Sequence, residues 1–81
     1  MPSYLVEVYQ PRTRAGLAPA RVRSATEAVS LAGTPVRYVR SIFVPEDETC
    51  FYVFESSSRE AVVAAIERAA LPFARITEAV S

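Results

Sequence analysis

The stretch from Val36 to Glu55 reads VRYVRSIFVPEDETCFYVFE, which is two runs of β-branched and aromatic residues on either side of a short acidic turn. Pro45, Glu46 and Asp47 suit a turn, because proline fixes one backbone dihedral and acidic side chains favour turn conformations. Two such runs joined by a short turn predict an antiparallel hairpin. We therefore expect strands over residues 36–44 and 48–55.

The segment before this hairpin predicts a strand followed by a helix. Residues 4–9 alternate in the manner of a half-buried strand. Pro19 suits the first turn of a helix, where its missing N–H would have no partner. The helix is expected to run to about Ala32, with Gly33 as its stop. Its apolar stripe is expected to contain Val22, Ala25, Val29 and Ala32.

The segment after the hairpin repeats the pattern of a helix and a strand. Ser57 lies three residues before Glu60, which is the spacing of a capping box and predicts a helix start there. Pro72 closes this second helix, and residues 73–80 are expected to return as a fourth strand. The predicted order is βαββαβ over a single domain of residues 1–81. This order predicts an α+β, ferredoxin-like fold, in which a four-stranded antiparallel sheet carries both helices on one face.

Alternation within the strands predicts which side chains lie under the helices and which lie on the opposite, open face. The set expected under the helices is Val6, Val8, Val39, Phe43, Phe51, Val53 and Ile76. The set expected on the open face is Leu5, Glu7, Tyr9, Tyr38, Arg40, Ile42, Cys50, Tyr52, Phe54 and Arg75. A contiguous aromatic face usually marks an interface or a ligand groove. We therefore expect a homodimer, in the form of a dimeric α/β barrel.

Charge and composition exclude several classes of partner. The 81 residues carry nine basic and nine acidic side chains, so the net charge is zero and nothing favours a nucleic-acid backbone or an anionic membrane surface. There is one cysteine, the start shows no signal-peptide pattern, and no apolar run approaches the roughly 20 residues that span a bilayer. These features predict a cytoplasmic protein that binds neither nucleic acid nor membrane.

The residue types also limit the chemistry. The chain has no histidine, so the usual neutral-pH acid–base group and most transition-metal sites are missing. It has two glycines, which excludes a glycine-rich phosphate loop. The run Glu46–Glu48 is interpreted as a solvated turn and Cys50 as a packed apolar side chain. We therefore expect no metal site and no cofactor.

Three stretches resemble a known family. They are residues 33–38 (GTPVRY), residues 41–51 (SIFVPEDETCF) and residues 70–76 (ALPFARI). In them the chain resembles the small bacterial proteins known as domain of unknown function 4242. The resemblance implies a ferredoxin-like fold and a dimeric α/β barrel. Some relatives are described as nickel-binding through donors that include histidine, and that site does not transfer to a chain without histidine.

The remaining candidates are polar side chains on the expected open face. Glu7 is the best candidate for a proton-transfer group, because a mid-strand carboxylate among apolar neighbours is the kind that desolvation perturbs. The expected ligand-binding residues are Tyr9, Tyr38, Arg40, Tyr52 and Arg75. Two functions fit. The first is a non-catalytic binding module for a small apolar or aromatic ligand or a protein partner. The alternative is a cofactor-independent enzyme, similar to a monooxygenase or an isomerase, that acts on a small aromatic or polyketide-like substrate.

Overall fold

The alternating segments form the four strands of one antiparallel sheet. The computed structural model describes residues 1–12, 18–72 and 75–80. The strands are β1 (Ser3–Tyr9), β2 (Val36–Val44), β3 (Thr49–Ser56) and β4 (Arg75–Ala79), and they lie in the order β2-β3-β1-β4. The helices are α1 (Ala18–Leu31) and α2 (Arg59–Arg68). This is the ferredoxin-like α+β layout that the sequence predicts. The prediction that residues 73 and 74 begin β4 lies outside the described residues.

The first helix buries the stripe that its periodicity predicts. Val22 is fully buried and Ala25 is 6% exposed, while Val29 is half-buried and packs against the core. Ala32 was expected to complete the stripe, but α1 ends at Leu31 and Ala32 is exposed. Gly33 follows with a φ of 107°, a value that residues with a side chain rarely adopt.

The second helix begins one residue later than its capping pattern predicts. Ser58, rather than Ser57, is the N-cap, and its hydroxyl accepts a hydrogen bond from the Ala61 N–H at 3.2 Å. The Ser56 hydroxyl accepts from the Ser58 N–H and donates to the Pro35 carbonyl, which fixes the chain before the helix. Three consecutive serines made the cap ambiguous in sequence, and this buried Ser56 network selects Ser58.

A Schellman motif with an alanine in the left-handed position ends α2. The Leu71 N–H donates to the Ile66 carbonyl at 3.3 Å, and the Ala70 N–H donates to the Glu67 carbonyl at 3.0 Å. Ala70 has a φ of 58°, which glycine adopts much more readily than alanine. Leu71 packs against the core, so the apolar contact of the motif stabilises this turn despite the alanine.

The prediction of which face each β3 side chain occupies was wrong. Tyr52 pairs with Val6 and Phe54 pairs with Tyr4, and these residues lie under the helices in the core. Phe51 and Val53 pair with Glu7 and Leu5 on the open face. Both sets of β3 side chains are apolar, so alternation alone could not choose between the faces. The register with β1 decides, and the buried set on β3 is Cys50, Tyr52, Phe54 and Ser56.

A bulge in β2 explains the second misplaced side chain. The register with β3 shifts between Tyr38 and Arg40, so Val39 has no β3 partner of its own. Tyr38 pairs with Phe54 and packs against the core, whereas the prediction placed it on the open face. Beyond the bulge, Arg40 pairs with Val53 on the open face. Val39 was predicted to lie under the helices as a regular strand residue, and the bulge removes the alternation on which that prediction depended.

The helices do not extend far enough to cross a membrane. Within residues 1–12, 18–72 and 75–80, neither helix has the length and apolar character that a bilayer span requires.

Candidate functional site

The open face of the sheet combines apolar side chains with two ion pairs among the described residues, Glu7–Arg75 and Arg37–Glu55. We define the open face as Leu5, Glu7, Arg37, Arg40, Ile42, Phe51, Val53, Glu55 and Arg75. Glu7 and Arg75 are direct partners in the β1–β4 register, and Arg75 Nε lies 3.8 Å from Glu7 Oε2. Arg75 Nε also donates to Thr77 Oγ1 at 3.1 Å. The carboxylate that sequence reasoning proposed for proton transfer therefore faces a cation.

The apolar side chains of the open face remain accessible. Ile42 is 49% exposed, and Leu5, Phe51 and Val53 are half-buried, although no described helix covers them. Of the predicted ligand-binding residues, Arg40 and Arg75 lie on this face. Tyr9 lies at its end, opposite Thr49, and is 63% exposed.

Tyr38 and Tyr52 belong instead to an aromatic cluster beneath the helices. The Tyr38 ring centroid lies 6.4 Å from that of Tyr52 and 5.8 Å from that of Phe54, both at tilted angles. The Arg23 guanidinium lies 5.3 Å from the centre of the Tyr38 ring on the helix side. These two tyrosines therefore do not line a slot on the open face, and the predicted ligand-binding set divides between two faces of the sheet.

The Tyr52 phenol and the Cys50 thiol lie at the buried end of this cluster. The Tyr52 hydroxyl lies 3.3 Å from Gln10 Oε1, to which it donates. Burial raises the pKa of the Tyr52 phenol well above its usual range, and the neighbouring Cys50 raises it further. Burial also raises the pKa of the Cys50 thiol, and its hydrogen bond with Tyr52 offsets part of that rise. Both groups therefore stay neutral, and Cys50 is a packed side chain rather than a nucleophile.

The acidic turn forms hydrogen bonds with Arg12. Residues Pro45–Asp47 form a single 3₁₀ turn, and Glu48 follows in the left-handed region at a φ of 47°. Glu48 Oε2 accepts from the Arg12 N–H at 3.3 Å, and the Arg12 Nε–H donates to the Pro45 carbonyl at 2.9 Å. Among the described residues, no group of three or more Cys, Asp or Glu side chains converges as metal ligands would.

A groove lies at one end of the sheet, between the end of β1, the start of α1 and the turn after α2. We call it the end groove, and its volume is about 550 Å³. Its described lining is Val8, Tyr9, Gln10, Pro11, Ala18, Arg21, Ala70, Leu71 and Pro72. Sequence reasoning found Tyr9 but missed the rest, because these residues come from three separated segments that only the tertiary structure brings together.

Comparisons with known proteins identify the family. A family model described as nickel responsive protein SCO4226-like matches residues 4–79. The chain belongs to this family. The match does not carry the name domain of unknown function 4242, although it is consistent with the resemblance noted in the sequence. No curated protein matches the chain.

A solved structure supports the fold of this SCO4226-like protein. The structure of this chain is similar to the crystal structure of SCO4226 from Streptomyces coelicolor A3(2), with a TM-score of 0.74 and 21% sequence identity. The alignment covers 95% of this chain and 94% of that chain. At this identity the likeness shows the shared fold alone.

Proposed function

We propose that this SCO4226-like protein is a non-catalytic binding module that forms a homodimer through the open face of its sheet. The observation that carries the proposal is the apolar strip of Leu5, Ile42, Phe51 and Val53 on the face that the described helices do not cover. Burying apolar surface contributes about 25 cal/mol per Å². A second copy of the same face supplies an apolar partner of matching size, as a two-fold interface requires.

The small size of the domain supports association. An 81-residue chain buries only about 60 to 65% of the surface that its unfolded form exposes, so its own core contributes a narrow margin of stability. Two sheets packed face to face would enclose the apolar strip, with the Glu7–Arg75 pair beside it. Aromatic and arginine side chains are enriched at protein interfaces.

The environment of Glu7 favours a binding module over an enzyme. A general base needs an available carboxylate within hydrogen-bonding reach of a substrate proton. Here the carboxylate faces the Arg75 guanidinium at 3.8 Å, which is the arrangement of a structural ion pair. Two of the tyrosines that were expected beside it, Tyr38 and Tyr52, lie on the opposite face of the sheet.

The family description raises the question of nickel. Nickel sites in proteins commonly use imidazole or thiolate donors, and this chain has no histidine and a single cysteine, which is buried. We propose that its binding function does not depend on a tight nickel site. Calorimetric titration with nickel is expected to show no stoichiometric binding below the micromolar range. A saturating site in that range would overturn this part of the proposal.

Sedimentation velocity on a matched pair of variants tests the dimer. The wild-type protein is expected to sediment as a dimer at micromolar concentration. Ile42→Asp is expected to be monomeric, because a charge buried in a desolvated interface costs several kcal/mol, and Ile42 is 49% exposed in the subunit, so the change should leave its fold intact. Leu31→Arg is the control, since Leu31 is 88% exposed at the end of α1, and it should remain dimeric. A monomeric wild-type protein, or equal dissociation of both variants, would contradict the proposed interface.

A further inference from the structure

The end groove has the composition of a site for a small amphipathic anion. Most of its described lining is apolar, and Arg21 is the only charged residue among the nine described lining residues. Its volume lies within the range of about 300 to 1,000 Å³ that small-molecule pockets occupy. We propose that this groove binds a small monocarboxylate with an apolar tail, and that Arg21 pairs with its carboxylate.

Backbone carbonyls at the end of α2 hold one terminal nitrogen of Arg21 in place. One terminal nitrogen, Nη2, donates to the Ala69 carbonyl at 2.6 Å and lies 3.4 Å from the Ala70 carbonyl. These contacts satisfy carbonyls at the C-terminal end of α2 and fix the guanidinium at the groove. Within residues 1–12, 18–72 and 75–80, no carboxylate forms an ion pair with Arg21. Both hydrogen bonds that Arg21 makes to described residues come from Nη2, so in this part of the chain the Nε and Nη1 hydrogens are available to an anion.

The other described lining residues favour an apolar tail on the ligand. Val8, Ala18 and Leu71 provide an aliphatic surface, and Pro11 and Pro72 add apolar area without an N–H donor. No described lining residue is acidic, so no side-chain carboxylate of this lining opposes a bound carboxylate. A guanidinium beside an apolar groove favours a carboxylate with a hydrocarbon tail over a neutral molecule of the same shape, because the charge-assisted hydrogen bond is the stronger one.

This inference rests on the proposed function only in treating the chain as a binding module. The described lining comes from one subunit, and it shares no residue with the open face as defined above. Binding in the groove therefore does not require the dimer. The two proposals can fail separately, and Ile42→Asp provides a test of the groove in a subunit that is expected to be monomeric.

Octanoate and octanamide form a matched pair of probes, because they share a tail and differ in charge. We expect saturable NMR shifts of the Tyr9, Ala18 and Leu71 amides on titration with octanoate, and at least tenfold weaker binding of octanamide. Arg21→Gln should weaken octanoate binding at least tenfold and leave octanamide binding unchanged. Arg68→Gln is the control, since Arg68 lies near the same end of α2 but outside the end groove, and it should bind octanoate like the wild type.

The comparison of the two probes on wild-type protein needs no variant, so the proposal can be tested even if Arg21→Gln fails to fold. Equal affinity for octanoate and octanamide would overturn it. So would the absence of saturable shifts at millimolar octanoate, or shifts confined to Leu5, Phe51 and Val53 on the open face. Octanoate binding to a wild-type protein that proves monomeric would support the groove while refuting the dimer. A dimeric protein that does not bind octanoate would support the dimer and refute the groove.

Discussion

Glu7 Oε2 and Arg75 Nε lie 3.8 Å apart as direct partners in the β1–β4 register, with side chains 34% and 68% exposed. At this exposure an ion pair contributes about 0 to 1 kcal/mol, because water screens it. The same pair enclosed between two sheets would be desolvated, and removing one partner would then leave the other unpaired. The free energy that this ion pair contributes to stability therefore depends on whether the open face is covered.

The pair yields the first prediction. A double-mutant cycle with Glu7→Gln and Arg75→Gln, measured by urea unfolding, should give a coupling free energy below about 1 kcal/mol in the Ile42→Asp background, since Ile42 is a direct partner of neither residue. In the dimer the coupling should be larger and less sensitive to salt, because buried pairs are screened less. Equal coupling in both backgrounds would place the pair outside the interface.

The left-handed alanine after α2 predicts a stabilising substitution. Ala70→Gly should raise the free energy of unfolding by about 1 kcal/mol, because Ala70 has a φ of 58° that glycine adopts without steric cost. Ala64→Gly is the matched control, since Ala64 is exposed within α2 and should lose about 1 kcal/mol. Chemical denaturation measures both. A loss of stability in Ala70→Gly would contradict the assigned Schellman geometry.

The serine cap predicts unequal effects of two neighbouring substitutions. Ser58→Ala should lower the free energy of unfolding by about 1 kcal/mol, because its hydroxyl accepts from the Ala61 N–H. Ser57→Ala should change it by less than about 0.5 kcal/mol, since Ser57 is exposed and precedes the cap. Thermal melts of both variants would rank them. The reverse order would restore Ser57 as the cap.

The buried thiol predicts a loss of stability in alkaline solution. Burial raises the pKa of Cys50, so the unfolded chain loses this proton first, near the ordinary value of about 8.5. The stability that Cys50 contributes is complete below that pH and declines as pH rises toward the folded pKa, by at most about 1.4 kcal/mol per pH unit. Urea unfolding at pH 7 to 10 should show a shallower decline for Cys50→Ala. Parallel slopes would show that Cys50 is not the titrating group.

The sequence predicted the elements of this fold because their signals are local. Proline and glycine mark the ends of the segments, and periods of two and of about 3.6 residues distinguish strands from helices. The hairpin around Pro45–Asp47 and the helix that ends at Leu31 needed no long-range information. Their order then leaves few topologies, and the observed strand order β2-β3-β1-β4 is consistent with the predicted ferredoxin-like fold.

The candidate site was harder to predict because it depends on register. Tyr52 and Phe51 are neighbours of similar size, and alternation assigns them to opposite faces without saying which face carries the helices. The pairing of Tyr52 with Val6 settles that, and it is a contact between distant segments. The end groove could not be predicted for the same reason, because Arg21 and Leu71 are distant in sequence and come together only when the helices pack.

The unpaired Val39 separates β2 into two halves that can change independently. β2 is an edge strand bonded only to β3, so a one-residue deletion at the bulge need not disturb the pairing of β1 with β3 or β4. Deleting Val39 itself would leave Tyr38 opposite Phe54 and Arg40 opposite Val53, whereas deleting Ser41 would close the bulge by moving Val39 to the open face and Arg40 to the helix side. A single-codon event could thus exchange what the edge of the open face displays while the Tyr52 and Phe54 core stays in place. Surface specificity in this fold can therefore diverge through insertions and deletions as well as through substitutions.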